Sequence, residues 1–220
     1  MDIIQFLQEN WGRTLFLTWE HVWLVGLSLA IATGTGVPIG IAITKNEEMA
    51  KRIIGGANVI MTVPSIALFG IMLPILAVVG HGLGKVPAVI ALVLYSELPI
   101  IRNTYTAIKN VPNALVDAGR GMGLNKFQLL TEVEIPMAVP VIVAGLRTAA
   151  VMNIGIAAIA AYIGAGGLGV FIQQGIARSY GEMIVAGALS VSVLAIIVDA
   201  GMALLERILT PKGVKLERAR

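Results

Sequence analysis

Glu97, Arg147 and Asp199 are ionisable residues set inside long apolar stretches, and Ser65, Asn103 and Asn153 add polar atoms to the same surroundings. An isolated charge in hydrocarbon is expensive, so each must pair, snorkel to a headgroup or face water. Arg147 and Asp199 are expected near the boundary of a span, where snorkelling is short. Glu97 is expected closest to the middle. It has two readings, a structural pair with Arg102 or Arg147, or a carboxylate that lines a path and attracts a cationic solute. Ser65, Asn103 and Asn153 likewise either bond between helices or contact a solute in a pathway. Other chemistry is poorly supplied. Without cysteine there is no disulfide and no thiolate metal site, and His21 and His81 alone do not make a metal centre. "GHGLGKV" at 80–86 lacks the spacing and the Ser or Thr of a GxxxxGK[ST] phosphate loop. "GRGMG" at 119–123 follows no strand, as a dinucleotide fingerprint would. The chain is expected to bind no cofactor and no metal and to catalyse no covalent step.

The elements that carry these residues belong to a membrane. Of 220 residues, 57% are hydrophobic and 13% charged, and the mean hydropathy is +0.86, too apolar for the surface of a soluble domain. Uncharged runs cover 22–43, 53–80 and 148–177. About 20 apolar residues in a helix cross a hydrocarbon core of ~30 Å. A membrane β-barrel would alternate over segments of ~10 residues, and these runs do not alternate. The expected fold is all-α and polytopic, with five spans near 20–43, 56–79, 86–108, 138–162 and 183–206. A six-span alternative splits the 53–80 or the 148–177 run. Pro64 and Pro74 predict kinks in the second span. Residues 1–19 are expected to form an amphipathic lead-in at the interface, with Trp11, Trp19 and Trp23 in an aromatic belt. Asp2, Glu9 and Arg13 precede the first apolar run, which is unlike a cleaved signal peptide.

A net charge of +3 and a pI near 9.3 reflect basic residues at helix ends rather than a nucleic-acid surface. With the N-terminus outside, the inner segments hold Lys45, Lys51, Arg52, Lys109, Arg120 and Lys126, and the inner tail at 207–220 holds Arg207, Lys212, Lys215, Arg218 and Arg220. The outer segments hold Arg13, Lys85 and Arg178. The positive-inside rule therefore puts the loop at 110–136 in the cytoplasm.

That loop reads as two short helices. Asn113 is a plausible N-cap for the first, which runs to about Gly121. Gly121-Met122-Gly123 allows a tight turn with positive φ. Asn125 followed by Gln128 resembles a capping box that starts the second helix, which Pro136 ends before Pro140 opens the next span. Leu124, Phe127, Leu130 and Val133 are expected to share one apolar face. Such a pair either lies on the headgroups or offers a helix to a partner's groove.

Asp117-Ala118-Gly119, three residues, Gly123, nine residues, then Val133-Glu134-Ile135-Pro136 resembles the EAA motif of ABC importer permeases. That motif reads Glu-Ala-Ala, three residues, Gly, nine residues, Ile-x-Leu-Pro. Asp117 stands for the Glu, Gly119 for the second Ala, Val133 for the Ile and Ile135 for the Leu. "TVPSIALFGIMLPIL", "SELPIIRNTYTAI", "PVIVAGLRTAAV" and "IGAGGLG" are similar to permease subunits of osmoprotectant importers, which carry glycine betaine, choline, carnitine and related compounds. The resemblance covers about residues 20–206 and implies a type I permease fold for this transmembrane domain. It implies a loop at 110–136 that serves as the coupling helix, and a second permease, identical or homologous. It also implies two cytoplasmic ATPases that bind the ATP, an extracytoplasmic substrate-binding protein, and the bacterial plasma membrane. The small-residue run "AAIAAYIGAGGLG" at 157–169 allows close helix packing, and by resemblance sits near the outer gate. High-affinity selection is assigned to the binding protein, because aromatic residues, the usual cage for quaternary ammonium groups, are only 5% of the chain. The rivals are a permease of the same architecture for methionine or another small solute, and a motor-free channel or scaffold.

Overall fold

The computed structural model describes residues 3–210, so Lys212, Lys215, Arg218 and Arg220 of the expected basic tail lie outside the described residues. Every regular element among the described residues is helical. A short α1 (Ile3–Glu9) leads into α2 (Trp11–Ala42), and α3 (Glu47–Thr62) and α4 (Ser65–Ala77) follow. Next come α5 (Lys85–Lys109), α6 (Asn113–Gly121) and α7 (Lys126–Gln128). A π-helical segment (Leu129–Glu134) joins α7 to α8 (Ile135–Ala160), and α9 (Gly169–Ala177) and α10 (Gly181–Leu209) follow.

Four helical stretches are long and apolar enough to cross a membrane: Trp11–Lys45, Lys85–Lys109, Lys126–Ile163 and Gly181–Leu209. The pair α3 and α4, bent by 99° at its break, makes a fifth when taken together as one broken span. The sixth crossing has no support in the 148–177 run, because α9 has nine residues and reaches only about 14 Å. Residues 11–19, expected in an interfacial lead-in, are instead the first turns of α2. That helix has 32 residues and extends about 48 Å, well past the ~30 Å hydrocarbon core.

The expected span at 56–79 takes a different form. Its helix begins at Glu47, capped by Asn46, whose side chain accepts from the Met49 N–H at 3.1 Å. It stops at Val63, ahead of Pro64, since a residue before proline avoids the α region. The break leaves a carbonyl at Val63 that the Tyr95 hydroxyl satisfies from α5, as irregular backbone at membrane depth requires. Pro74, by contrast, sits inside α4.

The centre of the bundle is α5, lying against α2 and α8. Ser28, Ala32, Gly36 and Gly40 recur at every fourth residue of α2 and are all buried. A Cβ on Gly40 would lie 2.6 Å from Cβ of Thr104, and one on Gly36 would lie 2.8 Å from Cγ2 of Ile100. Gly145 of α8 makes the same approach to Asn103 and the Pro99 carbonyl of α5. Small residues let these backbones close together where lipid supplies no hydrophobic drive between helices. At the opposite end of the bundle from the 110–136 loop, Phe6 stacks edge-on against Phe171 and Tyr180, at 5.5 and 5.8 Å between centroids.

Candidate functional site

The 110–136 loop is built from local hydrogen bonds. Pro112 is extended and takes the cap position, so α6 opens at Asn113, one residue earlier than it would with Asn113 as its cap. The helix ends in a Schellman turn. The Leu124 N–H donates to the Gly119 carbonyl at 3.1 Å and the Gly123 N–H to the Arg120 carbonyl at 2.9 Å, with Gly123 at φ +84°. A residue with a Cβ is disfavoured there by about 1–2 kcal/mol. Asn125 then caps α7. Its Oδ1 accepts from the Phe127 and Gln128 N–H groups, and Gln128 Oε1 accepts from the Asn125 N–H at 3.0 Å. The turn and the capping box follow the pattern expected from the residues.

The second helix departs from it. Pro136 does not end the helix, which continues from Lys126 to Ile163. The wider π turn over Leu129–Glu134 precedes Pro136. It accommodates a residue that lacks an N–H and whose ring would crowd the carbonyl of an ordinary α turn. Pro140 accordingly lies within α8 rather than at its start. The π turn also rotates the side chains, so the expected face of Leu124, Phe127, Leu130 and Val133 is divided. Leu129 is the buried residue of this segment. It meets Gly119 of α6, where a Cβ would be 2.7 Å from Leu129 Cδ1 and 3.6 Å from Val133 Cγ2. Leu130 turns to a separate cluster with Ile108 and Ala138. Phe127 points outward, 72% exposed, and Met122 and Leu115 of the same loop are exposed as well.

Gly119 is therefore the inward contact of the Asp117-Ala118-Gly119 triplet, while Asp117 and Ala118 face out. Asp117 pairs with Arg120 at 3.3 Å, both about two-thirds exposed, a contact that adds little. Val133, Ile135 and Pro136 are half-buried where the loop re-enters the bundle. The arrangement can present a small, apolar, locally rigid knob to another molecule.

Glu97, Arg147, Asp199, Ser65, Asn103 and Asn153 occupy five separate settings, and among the described residues the one hydrogen-bonded link between them is that of Arg147 with Asp199. Asn153 is fully buried and donates from Nδ2 to Ser96 Oγ at 2.8 Å, linking α8 to α5, while its Oδ1 has no partner. Asn103 donates to the Pro99 carbonyl at 2.8 Å. Ser65 is half-buried at the α3–α4 break, with no side-chain hydrogen bond. Glu97 does not pair with Arg102 or Arg147. Its Oε1 accepts from the Thr35 hydroxyl at 2.6 Å, and its Oε2 is buried over Gly36 without a partner. Arg147 is held elsewhere, by Asp199, in a bidentate pair at 2.5 and 2.6 Å between α8 and α10. The geometric reason is register. Arg147 and Asp199 are both a similar distance from the loop end of their helices, whereas Glu97 faces α2.

Two further residues were not marked by sequence reasoning. Glu20 and His21, at the end of α2 away from the loop, hold the Gly-rich segment 164–169. His21 is fully buried; its Nδ1 accepts from the Leu168 N–H at 3.2 Å, and its Nε2 donates to the Ile154 carbonyl at 3.0 Å. Glu20 accepts from the Gly167 N–H at 3.3 Å and pairs with Lys85 at 2.9 Å. Gly164, Gly166 and Gly167 all have positive φ. A Cβ on Gly167 would reach 3.0 Å from the His21 ring. The glycine run was the available signal, but nothing in the sequence pairs it with residues about 147 positions earlier.

Residues 36–210 match the protein family described as "Binding-protein-dependent transport system inner membrane component". The chain is similar to "Osmoprotectant import permease protein OsmW" of Salmonella typhimurium, 49% identical over 98% of this chain and 100% of the relative. It is also similar to "Glycine betaine/carnitine/choline transport system permease protein OpuCB" of Bacillus subtilis, 42% identical over 97% of this chain and 96% of the relative. Among solved structures, an inward-facing MetNI methionine ABC transporter superposes with a TM-score of 0.81 at 22% identity, covering 93% of this chain and 98% of that one. A likeness at that identity speaks for the fold.

Proposed function

The chain belongs to the family of binding-protein-dependent transport system inner membrane components, and from that membership we propose that it is the permease subunit of an ATP-driven importer for osmoprotectants such as glycine betaine, choline or carnitine. The observation that carries the substrate class is the end-to-end likeness to relatives named for those solutes. The family works with an ATPase and a binding protein, and its members are transport subunits, not enzymes.

In finer terms, two permeases, identical or homologous, enclose the path. Two ATPases bind ATP beneath it, and an extracytoplasmic protein delivers the solute above. The 110–136 loop is the seat of the ATPase. ATP binding draws the two seats together and turns the path outward, and hydrolysis resets it. The exposed Leu115, Met122 and Phe127 on a locally hydrogen-bonded frame support this role, because a mechanical contact needs a stiff element with an apolar face to bury. Asp117, Ala118, Gly119, Gly123, Val133, Ile135 and Pro136 contribute the contact or the frame. The N-terminus lies outside and the C-terminus in the cytoplasm. Lys45, Lys51, Arg52, Lys109, Arg120 and Lys126 at the loop end favour this, against Arg13, Lys85 and Arg178 at the other.

The test is reconstitution with the ATPase and the binding protein, reading ATP-dependent accumulation of labelled glycine betaine. Uptake should be competed by choline or carnitine and untouched by excess methionine. Accumulation of methionine instead would overturn the substrate class, and failure to retain an ATPase would overturn the coupling role. For orientation, a cysteine at Asn125 should react in intact cells only with membrane-permeant thiol reagents, and one at Gly82 with impermeant reagents as well. The reverse pattern would invert the topology.

A further inference from the structure

We propose that the groove between α3 and α5, at the loop end of the bundle, is a binding site for the phosphate of an anionic phospholipid. The groove encloses about 530 Å³ and is lined by Lys51, Arg102, Asn58, Tyr105, Glu47 and Ile54, among others. Arg102 stands seven residues before the end of α5 at Lys109, roughly 10 Å inside it. It is exposed and has no carboxylate or hydrogen-bond partner among the described residues. Lys51 is likewise exposed and unpaired. The single carboxylate of the groove, Glu47, is engaged by Lys109 at 3.6 Å. The neighbouring Glu48 is engaged by Arg52 at 3.1 Å, outside the groove.

Two uncompensated cations therefore share one cavity, one of them on a membrane-spanning helix. A guanidinium at that depth needs an anion or a path to the headgroups. Among the described residues, no carboxylate lies within ion-pair distance of Arg102 or Lys51. The Tyr105 hydroxyl and the Asn58 amide supply further donors for phosphate oxygens. Ile54, with Ala50 and Gly55, gives the groove an apolar wall along α3, which suits acyl chains and offers nothing to a free anion. Basic grooves between helices at a membrane surface carry this chemistry generally.

The experiment is native mass spectrometry of the full-length permease in detergent, titrated with dioleoyl phosphatidylglycerol or dioleoyl phosphatidylcholine. Phosphatidylglycerol should bind in preference. Arg102→Gln and Lys51→Gln should each weaken it about fivefold, with phosphatidylcholine unchanged. Arg102→Lys should retain most of the preference, and Arg52→Gln should leave it intact. Lys51 lies on an exposed helix surface, so its variant reads the site without a folding defect. Equal loss in Arg52→Gln would mean diffuse surface attraction and overturn the site. Displacement of phosphatidylglycerol by millimolar inorganic phosphate would make it a soluble-anion site instead. Full binding by Arg102→Gln alongside lost uptake would move Arg102 to the solute path and also overturn the proposal.

Discussion

The two ends of the bundle are held together in opposite ways. At the 110–136 end, the bonds that shape the loop span two to five residues: the Schellman turn at Gly123 and the capping box at Asn125. The outward residues Met122 and Phe127 are apolar and uncovered, 75% and 72% exposed. At the other end, the segment 164–169 is held by bonds from Glu20 and His21 that cross 147 residues, with Arg13 reaching Gln174 across 161. His21, Leu168 and Phe171 there are buried. One end is locally stiff and tertiarily free, as suits a surface that another molecule is to hold. The other also turns locally, at Gly164, where the Ala165 N–H donates to the Ala160 carbonyl at 3.2 Å, but the segment beyond that turn is fixed by side chains from the far end of the chain.

The sharpest way to break this contrast is Gly123→Asp. Its φ of +84° disfavours any side chain, and the new carboxylate would stand beside the exposed apolar knob. The spans lie outside this turn, so abundance in the membrane should stay near normal while uptake falls more than about tenfold, the loss expected when ~1–2 kcal/mol of turn strain is joined by a blocked contact. Coupled ATPase rate and uptake in vesicles measure it; normal transport by this variant would remove the loop from the docking role.

The other end should fail differently. His21→Leu leaves the buried Leu168 N–H without an acceptor, which costs about 1–3 kcal/mol. The thermal unfolding midpoint of the detergent-purified protein should drop, and protease cleavage within 164–169 should rise. A midpoint equal to the parent's would show that the long-range bonds are not what holds that segment.

Loss of the cap in Asn125→Ala should be smaller, about 1 kcal/mol in the stability of the loop helix. Uptake should fall by a few-fold with the permease still binding its ATPase, because the turn at Gly123 is intact. Loss as severe as that of Gly123→Asp would mean that the side chain of Asn125 itself makes the contact.

Glu97→Gln is expected to be the mildest. The carboxylate is not ion-paired, and a glutamine oxygen can still accept from Thr35, so stability should change by less than about 1 kcal/mol. This reverses the expectation that attaches to a buried Glu–Arg pair, whose rupture is far costlier. A large fall in the unfolding midpoint would reinstate a structural partner. A stable variant that loses uptake of cationic solutes alone would mark Glu97 as lining the path.

Much of the loop was legible because its signals are short-range. Gly123 and the Asn125–Gln128 spacing each specify a hydrogen bond within a few residues, so no tertiary partner is needed to read them. Pro136 misled for a related reason. Proline forbids an ordinary α turn, but a π turn avoids the clash, and only the packing of Leu129 on Gly119 shows that the chain uses it. The second span misled through Pro64. A kink was expected, but the depth of the break depends on Tyr95 being present to satisfy Val63.

Composition and the uncharged runs alone determined an all-helical membrane chain, since a bilayer admits only backbones that satisfy their own hydrogen bonds. The spacing of glycines, prolines and caps determined the two-part loop, and the Lys/Arg distribution determined which end it occupies relative to the other charges. The pairing of charges was decided in three dimensions. Arg147 chose Asp199, 52 residues on, over Glu97, and His21 found Leu168. In a bundle of packed helices many polar residues lie at similar depths, so sequence distance does not discriminate among partners. The rotation of each helix about its axis does, and that rotation is set by close contacts such as those of Gly36 and Gly40 with α5.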